Sequence, residues 1–264
     1  MRWQREARFI SWVQRTELAD QFPKLIGASF AKKWIITSYL SGAHITTVTP
    51  DLLAKAALTV QGLLRQTSND AHLEFFGKDD FLDIRRVSRE FERRRNSLES
   101  RTHSLPESCA CKRRLRSIIS KYSLADSRND VRASFVFGRD ASEGLGRIMI
   151  MSPSDFGFHN CLVDEATQKL MLFDFEYAGL DSPFKLIMDF IFQPKVSMSQ
   201  QHVNVFLSNL QSHPLLDFSS IPVEAKRTFS IKWASIILRK SFKNGYHSCS
   251  DTLLCHLDRF DLWN

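Results

Sequence analysis

The sequence predicts an α+β protein in which a small strand-bearing front precedes a large, mostly helical body. Two short apolar segments near the start, 22–29 and 33–40, have strand character and are punctuated by Pro23 and Gly27. Helical periodicity of apolar residues then recurs through most of the remaining chain. No internal repeat, low-complexity tract or linker rich in Gly and Ser interrupts the sequence, so we expect one large domain or two small ones.

The composition is that of a folded globular protein with a real core. Of the 264 residues, 43% are hydrophobic and 25% are charged, which are ordinary values for such proteins. The chain has no run of 18 or more apolar residues and begins with the charged stretch MRWQREARF, so we expect neither a membrane span nor a signal peptide. Five cysteines, an odd number, favour reduced thiols in the cytoplasm over a disulfide framework.

The net charge of +7 is concentrated in one part of the chain. Residues 85–116, here called the basic patch, hold eleven Lys and Arg against four Asp and Glu. Such a patch can hold nucleic acid, a membrane surface or an acidic partner, but the helical spacing of its residues favours the solvated face of a surface helix. The residues with this spacing are Arg85, Arg86, Arg89, Arg93 and Arg94, alternating with Phe81, Ile84, Val87 and Phe91.

The first two helices have clear sequence signals. Residues 3–14 form an amphipathic pattern, and its inward residues are Phe9, Trp12 and Val13. The second helix starts at Thr49-Pro50-Asp51, which supplies a capping hydroxyl, a proline in the first turn and an acid near the positive end of the helix dipole. It extends to about Arg65. Its inward stripe consists of Leu53, Ala57, Val60 and Leu64.

The rest of the chain is predicted to contain a polar helical stretch, a few strands and a helical end. The polar stretch runs to about Asp130, with breaks at 68–72 and 104–111. Apolar strand segments follow at 148–151 and, as a hairpin, over 161–175. The clearest later helices are 183–192, 202–210 and 232–242.

Several common chemical motifs are absent from the sequence. The chain has no G-x-x-x-x-G-K-[ST] phosphate loop, no G-x-G-x-x-G, no H-E-x-x-H and no paired C-x-x-C spacing. Cys109 and Cys111, with His103 nearby, could contact a metal, but a fourth ligand is not evident.

The segment SPSDFGFHN, residues 152–160, carries the strongest functional signal. It places Asp155 five positions before Asn160, and Asp174 follows after the predicted hairpin. Asp and Asn in loops are often only turn formers. However, phosphoryl transfer needs metal ions on the phosphates and one carboxylate that orients the attacking hydroxyl. Magnesium prefers hard oxygen ligands, and D-x-x-x-x-N followed by D-F is the spacing of protein kinases.

The chain resembles the aminoglycoside phosphotransferase and choline kinase family in the segment SPSDFGFHN and in the later segment LFDFEYAGLDSPFKLIMDF. The resemblance is to a bacterial subgroup in particular, which has the same S-P-S-D-F-G-F-H-N motif. The resemblance is strongest over 148–195 and weaker over 3–42 and 232–238. It implies a protein-kinase-like, two-lobed fold and transfer of the γ-phosphate of ATP to a small-molecule hydroxyl with Mg²⁺. Pro153 stands where the family commonly has histidine, a change that the subgroup shares.

The resemblance also implies roles for individual residues. Asp155 would be the catalytic base, and Asn160 and Asp174 would be metal ligands. Asp189 resembles the helix aspartate that braces the catalytic loop, which is a structural role. The segment WIITSYLSG resembles the connection between the lobes, and its backbone groups would meet adenine at Ser38, Tyr39 and Leu40.

The chain departs from the family pattern at its front. RWQREARFISWV resembles the helix that normally follows the first three strands, and Glu6 would be its ion-pairing acid. The glycine-rich loop and the strand lysine should precede this helix, but only five residues precede Glu6, and Lys24, Lys32 and Lys33 do not occupy the matching position. The resemblance therefore implies that residues 1–42 are a partial N-terminal lobe with the hinge, lacking its first strands, and that residues 43–264 form a mostly helical C-terminal lobe.

Two functional hypotheses follow from these residues. The first is an ATP- and Mg²⁺-dependent phosphotransferase for a small-molecule hydroxyl. We expect weak or absent turnover, because efficient transfer needs an ordered lysine–glutamate pair and no lysine occupies the matching position. The second is a non-catalytic, pseudokinase-like binding protein that uses the basic patch for nucleic acid or an acidic partner. Under the first hypothesis we expect a small-molecule substrate as the partner, and neither nucleic acid nor a membrane. The phosphate acceptor stays open, although eight Lys and Arg against five Asp and Glu from Lys195 onward argue mildly against a polycationic aminoglycoside.

Overall fold

The computed structural model describes residues 2–67, 75–77, 84–121, 149–210 and 223–243, together with Leu253, Leu254, His256 and Leu257. The chain divides into two compact units. The first comprises Met1–Leu82 and Arg147–Ser219, and the second comprises Asp83–Gly146 and Ser220–Asn264. This division follows packing within the chain, and the predicted lobe boundary between residues 42 and 43 stays a prediction. Among the described helices, none combines the length and the apolar character needed to cross a membrane.

The first unit begins with helix α1 (Arg2–Val13), which buries the residues that helical spacing predicts. Phe9, Trp12 and Val13 are almost completely buried. Helix α2 (Pro50–Thr67) also starts as predicted, because the Thr49 hydroxyl accepts a hydrogen bond from the backbone N–H of Leu52 at 3.3 Å. The predicted stripe of α2 is buried throughout, at Leu53, Ala57, Val60 and Leu64.

The described strands of the first unit form small antiparallel sheets. β1 (Leu25–Ser29) pairs with β2 (Trp34–Thr37). β5 (Cys161–Val163) lies between β3 (Ala43–His44) and β6 (Leu170–Leu172), so the predicted hairpin is the β5–β6 pair. β4 (Ile150–Ser152) pairs with β7 (Gly179–Asp181). Because β4 and β5 flank the segment 153–160, that segment is held at both ends by paired strands.

Two further helices complete the described part of the first unit. α5 (Pro183–Phe192) packs against β4, and α6 (Gln200–Leu210) packs against α2. Aromatic rings fill the space between these elements. Phe190 stacks on Phe156 with 4.9 Å between ring centroids and also contacts Phe158 and Phe206. The residues that flank Gly157 are therefore anchored in the core.

The second unit is helical in its described residues. α3 (Ile84–His103) packs against α4 (Ala110–Lys121) and against α7 (Val223–Lys243). The turn between α3 and α4 falls within the predicted break at 104–111. The predicted break at 68–72, the end of the polar stretch near Asp130, and Phe81 lie outside the described residues. The core of this unit contains Leu98, Leu105, Leu115, Ile118, Ile231, Ala234 and Leu238.

Many charges of the basic patch are compensated within the second unit. Arg93 and Arg94 both form ion pairs with Glu90, at 2.6 and 2.7 Å. Lys112 and Arg116 both pair with Glu107, at 2.8 and 3.1 Å. These pairs support the interpretation of the patch as a solvated helix face.

The cysteines only partly match the expectation of reduced thiols. Cys109 and Cys161 are not disulfide-bonded, but Cys111 is disulfide-bonded. Cys111 is therefore not available as a thiolate ligand. Among the residues that the structure describes, no group of three or more His, Cys, Asp or Glu side chains is arranged to hold a metal ion, so the metal contact considered for Cys109, Cys111 and His103 does not form there.

Candidate active site

The candidate active site starts at the end of β4, where the chain makes a tight turn before Asp155. Ser154 has a φ of 71°, a left-handed conformation that is uncommon for residues other than glycine. Its backbone N–H donates to the hydroxyl of Ser152 at 2.9 Å, and the N–H of Asp155 donates to the carbonyl of Pro153 at 3.0 Å. The turn leaves the side chain of Asp155 32% exposed between largely buried neighbours.

Asn160 is fixed directly to the backbone of Asp155. Its Nδ2 donates a hydrogen bond to the carbonyl oxygen of Asp155 at 3.0 Å, and its own N–H donates to the carbonyl of Gly157 at 2.9 Å. The amide nitrogen is thereby used inside the loop, so the oxygen is the atom of the Asn160 side chain that can face a ligand. Because Asn160 follows Asp155 by five residues, its side-chain hydrogen bond closes a compact loop, here called the Asp155–Asn160 ring, that consists of the backbone from Asp155 to Asn160 and the Asn160 side chain.

Asp174 lies beside the Asp155–Asn160 ring, two residues after the end of β6. The N–H of Phe173 donates to the carbonyl of Asn160 at 3.1 Å, which places the next residue, Asp174, against the loop. Asp174 has a φ of 67°, and Asp and Asn tolerate this region better than most residues. Although Asp174 lies at an exposed rim, partial desolvation of its carboxylate raises its pKa, and the charges of Glu176 and Asp155 raise it further.

Helix α1 contributes an acid to the same place. The carboxylate of Glu6 accepts a hydrogen bond from the backbone N–H of Phe175, while burial and then the charge of Asp174 raise its pKa. The ring of Phe9, one turn further along α1, packs on Phe175 with 4.9 Å between centroids. The strand end that carries Asp174 is therefore held from one side by α1.

Glu176 and Tyr177 border the site together with Arg2. Arg2 forms an ion pair with Glu176 at 3.0 Å, and its guanidinium lies 5.2 Å from the centroid of the Tyr177 ring. Burial and a hydrogen bond with Glu176 raise the pKa of Tyr177 to about 12, so its hydroxyl stays protonated at neutral pH.

His159 contacts the predicted base from within the loop. Its Nε2 lies 3.4 Å from Oδ1 of Asp155, and its Nδ1 lies 3.5 Å from Oε1 of Gln193. The amide of Gln193 is oriented by a hydrogen bond from its Nε2 to the carbonyl of Phe190 at 2.9 Å. Gly157 makes room for this ring, because a Cβ at that position would lie 2.7 Å from Nδ1 of His159.

Asp189 lies behind the loop as part of a buried cluster of charges. It is 2% exposed, and its Oδ2 lies 3.4 Å from the Nζ of Lys185. Lys185 also pairs with Asp181 at 2.7 Å and donates to the hydroxyl of Ser154 at 2.9 Å. Asp189 is thus connected to the loop through Lys185.

The predicted adenine-contacting residues follow β2. The N–H of Ser38 already donates to the carbonyl of Lys24 at 2.8 Å, and the hydroxyl of Ser38 accepts from the N–H of Lys24. Tyr39 is 90% exposed. If this segment contacts a base, the backbone N–H groups of Tyr39 or Leu40 are the better donors, because that of Ser38 is used internally.

The structure thus brings Asp155, Asn160 and Asp174 to one rim, with Glu6 beside Asp174 and Asp189 behind the loop. Their functional roles stay predictions. Sequence reasoning missed the contributions of His159, Lys185 and Asp181. A signal for the last two existed in DSPFKLIMD, where the lysine of a predicted apolar helix lies four residues after one aspartate and four residues before another.

The donor set fits a magnesium ion better than a softer metal. Asn160 and Asp174 offer an amide oxygen and a carboxylate oxygen, and Mg²⁺ is usually held by one or two protein carboxylates while waters and substrate phosphates complete its shell. After burial, the charges of Glu176 and Asp155 raise the pKa of Asp174, and those of Asp174 and Glu176 raise the pKa of Glu6. A divalent cation would relieve this repulsion.

Comparison with known proteins identifies the fold. No protein-family model matches the chain, and no curated protein matches it. Solved structures do match. An aminoglycoside phosphotransferase from Alicyclobacillus acidocaldarius is 14% identical, with a TM-score of 0.61 over 99% of this chain and 79% of that one.

Two choline kinases have the same architecture. The enzyme from Streptococcus pneumoniae is 14% identical, with a TM-score of 0.54 over 99% of this chain and 79% of that one. The enzyme from Cryptosporidium parvum is 12% identical, with a TM-score of 0.53 over 92% of this chain and 73% of that one. The predicted α+β, protein-kinase-like fold class is thereby confirmed. The bacterial subgroup and the shortened N-terminal lobe stay predictions.

Proposed function

We propose that this chain transfers the γ-phosphate of ATP to a hydroxyl group of a small molecule in the presence of Mg²⁺. The observation that carries the proposal is the convergence of three oxygen-bearing side chains on one rim. Asn160 is bonded to the backbone of Asp155, and the charge of Asp155 acts on Asp174. The fold shared with small-molecule phosphotransferases supports this proposal.

Asp155 is the residue suited to orient the attacking hydroxyl. Its carboxylate is partly exposed at the end of β4, so a substrate hydroxyl can reach it and transfer its proton to an Oδ atom. Nε2 of His159, 3.4 Å from Oδ1 of Asp155, supports the orientation of this carboxylate. Asn160 and Asp174 would hold Mg²⁺, which when bound neutralises charge on the phosphate oxygens. Asp189 supports the loop from behind.

This chain is expected to transfer phosphate slowly. Efficient transfer in kinases depends on a lysine paired with the glutamate of the helix that corresponds to α1. Within the described residues, the groups that act on Glu6 are Phe175, Asp174 and Glu176, and none of them is a lysine. Assays should therefore use a high enzyme concentration and long incubation.

The acceptor is expected to be a small alcohol, and two of the similar solved structures suggest choline-like compounds as the first to test. The surplus of positive charge from Lys195 onward is unfavourable for a polycationic aminoglycoside. A panel should therefore contain amino alcohols, sugars and aminoglycosides. Transfer of labelled phosphate from ATP to one class identifies the acceptor.

The decisive experiment compares three proteins in this assay: wild type, Asp155→Asn and Asp51→Asn. Asp51 is an exposed carboxylate at the start of α2, paired only with Lys55 among the described ion pairs, and is a matched control. We expect Asp155→Asn to lower the rate by about 10²–10⁴-fold, the usual contribution of a general base. Asp51→Asn should retain the wild-type rate. Equal activity of wild type and Asp155→Asn would exclude Asp155 as the base.

The alternative, a binding protein that uses the basic patch, receives less support from the structure. Glu90 and Glu107 compensate four of its cations, which reduces the charge available to a polyanion. If the alternative were correct, the chain would bind single-stranded nucleic acid with an affinity that falls steeply with salt concentration. Such binding would also survive Asp174→Ala.

A further inference from the structure

Lys185 and Asp181, two members of the buried cluster that also contains Asp189, have no role in the chemistry described so far. The side chains of Lys185, Asp181 and Asp189 are each at most 2% exposed. Removing a charged group from water is costly, and such groups persist only where they are paired and hydrogen-bonded. Here the ammonium group of Lys185 lies between the carboxylate of Asp181, at the end of β7, and that of Asp189, one turn further along α5. Oδ1 of Asp181 accepts a further hydrogen bond from the N–H of Ser182 at 2.8 Å.

Stability alone does not account for this cluster. A buried ion pair contributes little compared with well-packed apolar side chains of the same volume, and α5 is otherwise apolar and buried along nearly its whole length. The ammonium group of Lys185 also makes a contact outside the pair of carboxylates. It donates to the hydroxyl of Ser154, 31 residues away, at 2.9 Å.

Ser154 is the residue whose backbone needs such support. Its φ of 71° is unfavourable for a residue with a side chain and persists only when its surroundings enforce it. Ser154 directly precedes Asp155. A change of its φ and ψ would rotate the next peptide and redirect the carboxylate that the proposed function uses.

We propose that Lys185 is a positioning residue that enforces the left-handed turn at Ser154 and thereby aims Asp155 at the substrate. The proposal rests on the proposed function for its catalytic consequence, but its structural part stands by itself. The cluster connects α5, β7 and the loop into one rigid support, because Asp181 belongs to β7 and pairs with Ile150 of β4. The loop is consequently held at the turn itself as well as at its strand ends.

The experiment uses the full chain and four variants. Lys185→Met replaces the ammonium with an apolar side chain of similar length, and Ser154→Ala deletes only the acceptor. Ser154→Gly also deletes the acceptor, but glycine adopts positive φ at little cost. Ile187→Val is the control, because Ile187 is a buried residue of the same helix and has none of the polar contacts of the cluster.

Two readouts are measured for each variant: hydrogen exchange of the peptide 153–161 and, where turnover is detectable, kcat and KM for ATP. We expect Lys185→Met and Ser154→Ala to accelerate exchange in this peptide about tenfold or more relative to α2, as expected for local loosening. In both variants kcat should fall more than KM rises, because orientation is lost and binding is retained. Ser154→Gly should lower kcat less than Ser154→Ala does.

The outcomes separate the two proposals. If exchange in 153–161 after Ser154→Ala and Lys185→Met matches that of Ile187→Val, Lys185 does not position the loop. If Lys185→Met does not fold, the pair Ser154→Ala and Ser154→Gly decides the question. If wild type transfers no phosphate at all, the proposed function fails, while the exchange measurements still confirm or overturn the role of Lys185.

Discussion

The side-chain amide of Asn160 donates a hydrogen bond to the backbone carbonyl of Asp155, with 3.0 Å between the two atoms. This bond joins the side chain of the predicted metal ligand to the backbone of the predicted base. It also determines which end of the amide points away from the loop. The oxygen, a hard donor that suits Mg²⁺, is left for a ligand.

Asn160→Ala should therefore weaken the response to divalent metal. The variant loses both the amide oxygen and the bond to the Asp155 carbonyl, and loss of a ligand or its support typically costs about 10–100-fold in metal affinity or activity. The measurement is a titration with Mn²⁺ in the presence of ATP, followed by electron paramagnetic resonance. Asn204→Ala, on the exposed face of α6, is the control. Identical metal affinity in both variants would contradict the assignment of Asn160 as a ligand.

Gly157→Ala should misplace His159 and lower the rate of transfer. The added Cβ would lie 2.7 Å from Nδ1 of His159 and 3.0 Å from Oε1 of Gln193, so the imidazole has to move and its contact with Asp155 is lost. Overpacking of this kind costs about 1–3 kcal/mol in the free energy of unfolding, which a urea titration measures.

Gly27→Ala is the matched control for this substitution. A Cβ at Gly27 would meet the Trp34 ring at 3.6 Å, which is an ordinary van der Waals distance. We expect this variant to retain wild-type stability within about 0.5 kcal/mol and wild-type turnover. If Gly157→Ala behaved in the same way, the close packing of His159 over the loop would have no functional importance.

The thiol of Cys161 should be inert in the folded protein. Cys161 is completely buried, its Sγ donates to the carbonyl of Gly157 at 3.3 Å, and burial raises its pKa, which disfavours the reactive thiolate. Alkylation with iodoacetamide, followed by peptide mass spectrometry, should modify the partly exposed Cys109 first and Cys161 only after unfolding in urea. Equal rates at the two cysteines would show that the loop opens readily.

The local features of the site could be predicted from the sequence. The ring between Asp155 and Asn160 depends on a spacing of five residues, and the cap at Thr49 depends on a contact with Leu52, three residues away. Contacts between residues only three to five positions apart can be predicted from their spacing in the sequence. Helix α1 and the stripe of α2 were predictable for the same reason, because burial there follows helical periodicity.

The contacts that support the site join residues far apart in the sequence. Lys185 and Ser154 are 31 residues apart, and His159 and Gln193 are 34 apart. Neither contact alters the hydrophobic periodicity or the capping residues of the segments that it joins. These contacts therefore cannot be predicted from such sequence signals. The contact between Glu6 and Phe175 also joins distant segments, and the resemblance to a family predicted Glu6 only as an ion-pairing acid.

Glu6→Gln should stabilise the ligand-free protein at neutral pH. Burial and the charge of Asp174 raise the pKa of Glu6 above its ordinary value of 4.5, so the folded state holds this proton more tightly than the unfolded state does. As pH rises through 4.5 the unfolded state ionises first, and the folded state loses stability until Glu6 has also ionised. Glutamine removes this penalty and retains an oxygen for the N–H of Phe175. We expect a gain of at most about 1 kcal/mol in the free energy of unfolding at pH 7, because the partial exposure of Glu6 lets solvent screen its charge.

The pH dependence distinguishes this electrostatic cause from a change in packing. Urea titrations of wild type and Glu6→Gln should show a gain at pH 7 that shrinks toward zero as the pH falls below about 4.5, where Glu6 is protonated in both states. Glu165→Gln, an exposed substitution in the turn between β5 and β6, should show no gain at either pH. A gain for Glu6→Gln that stayed constant over this range would mean that packing or helix propensity causes it. The site would then lack the accumulated negative charge that favours a divalent cation.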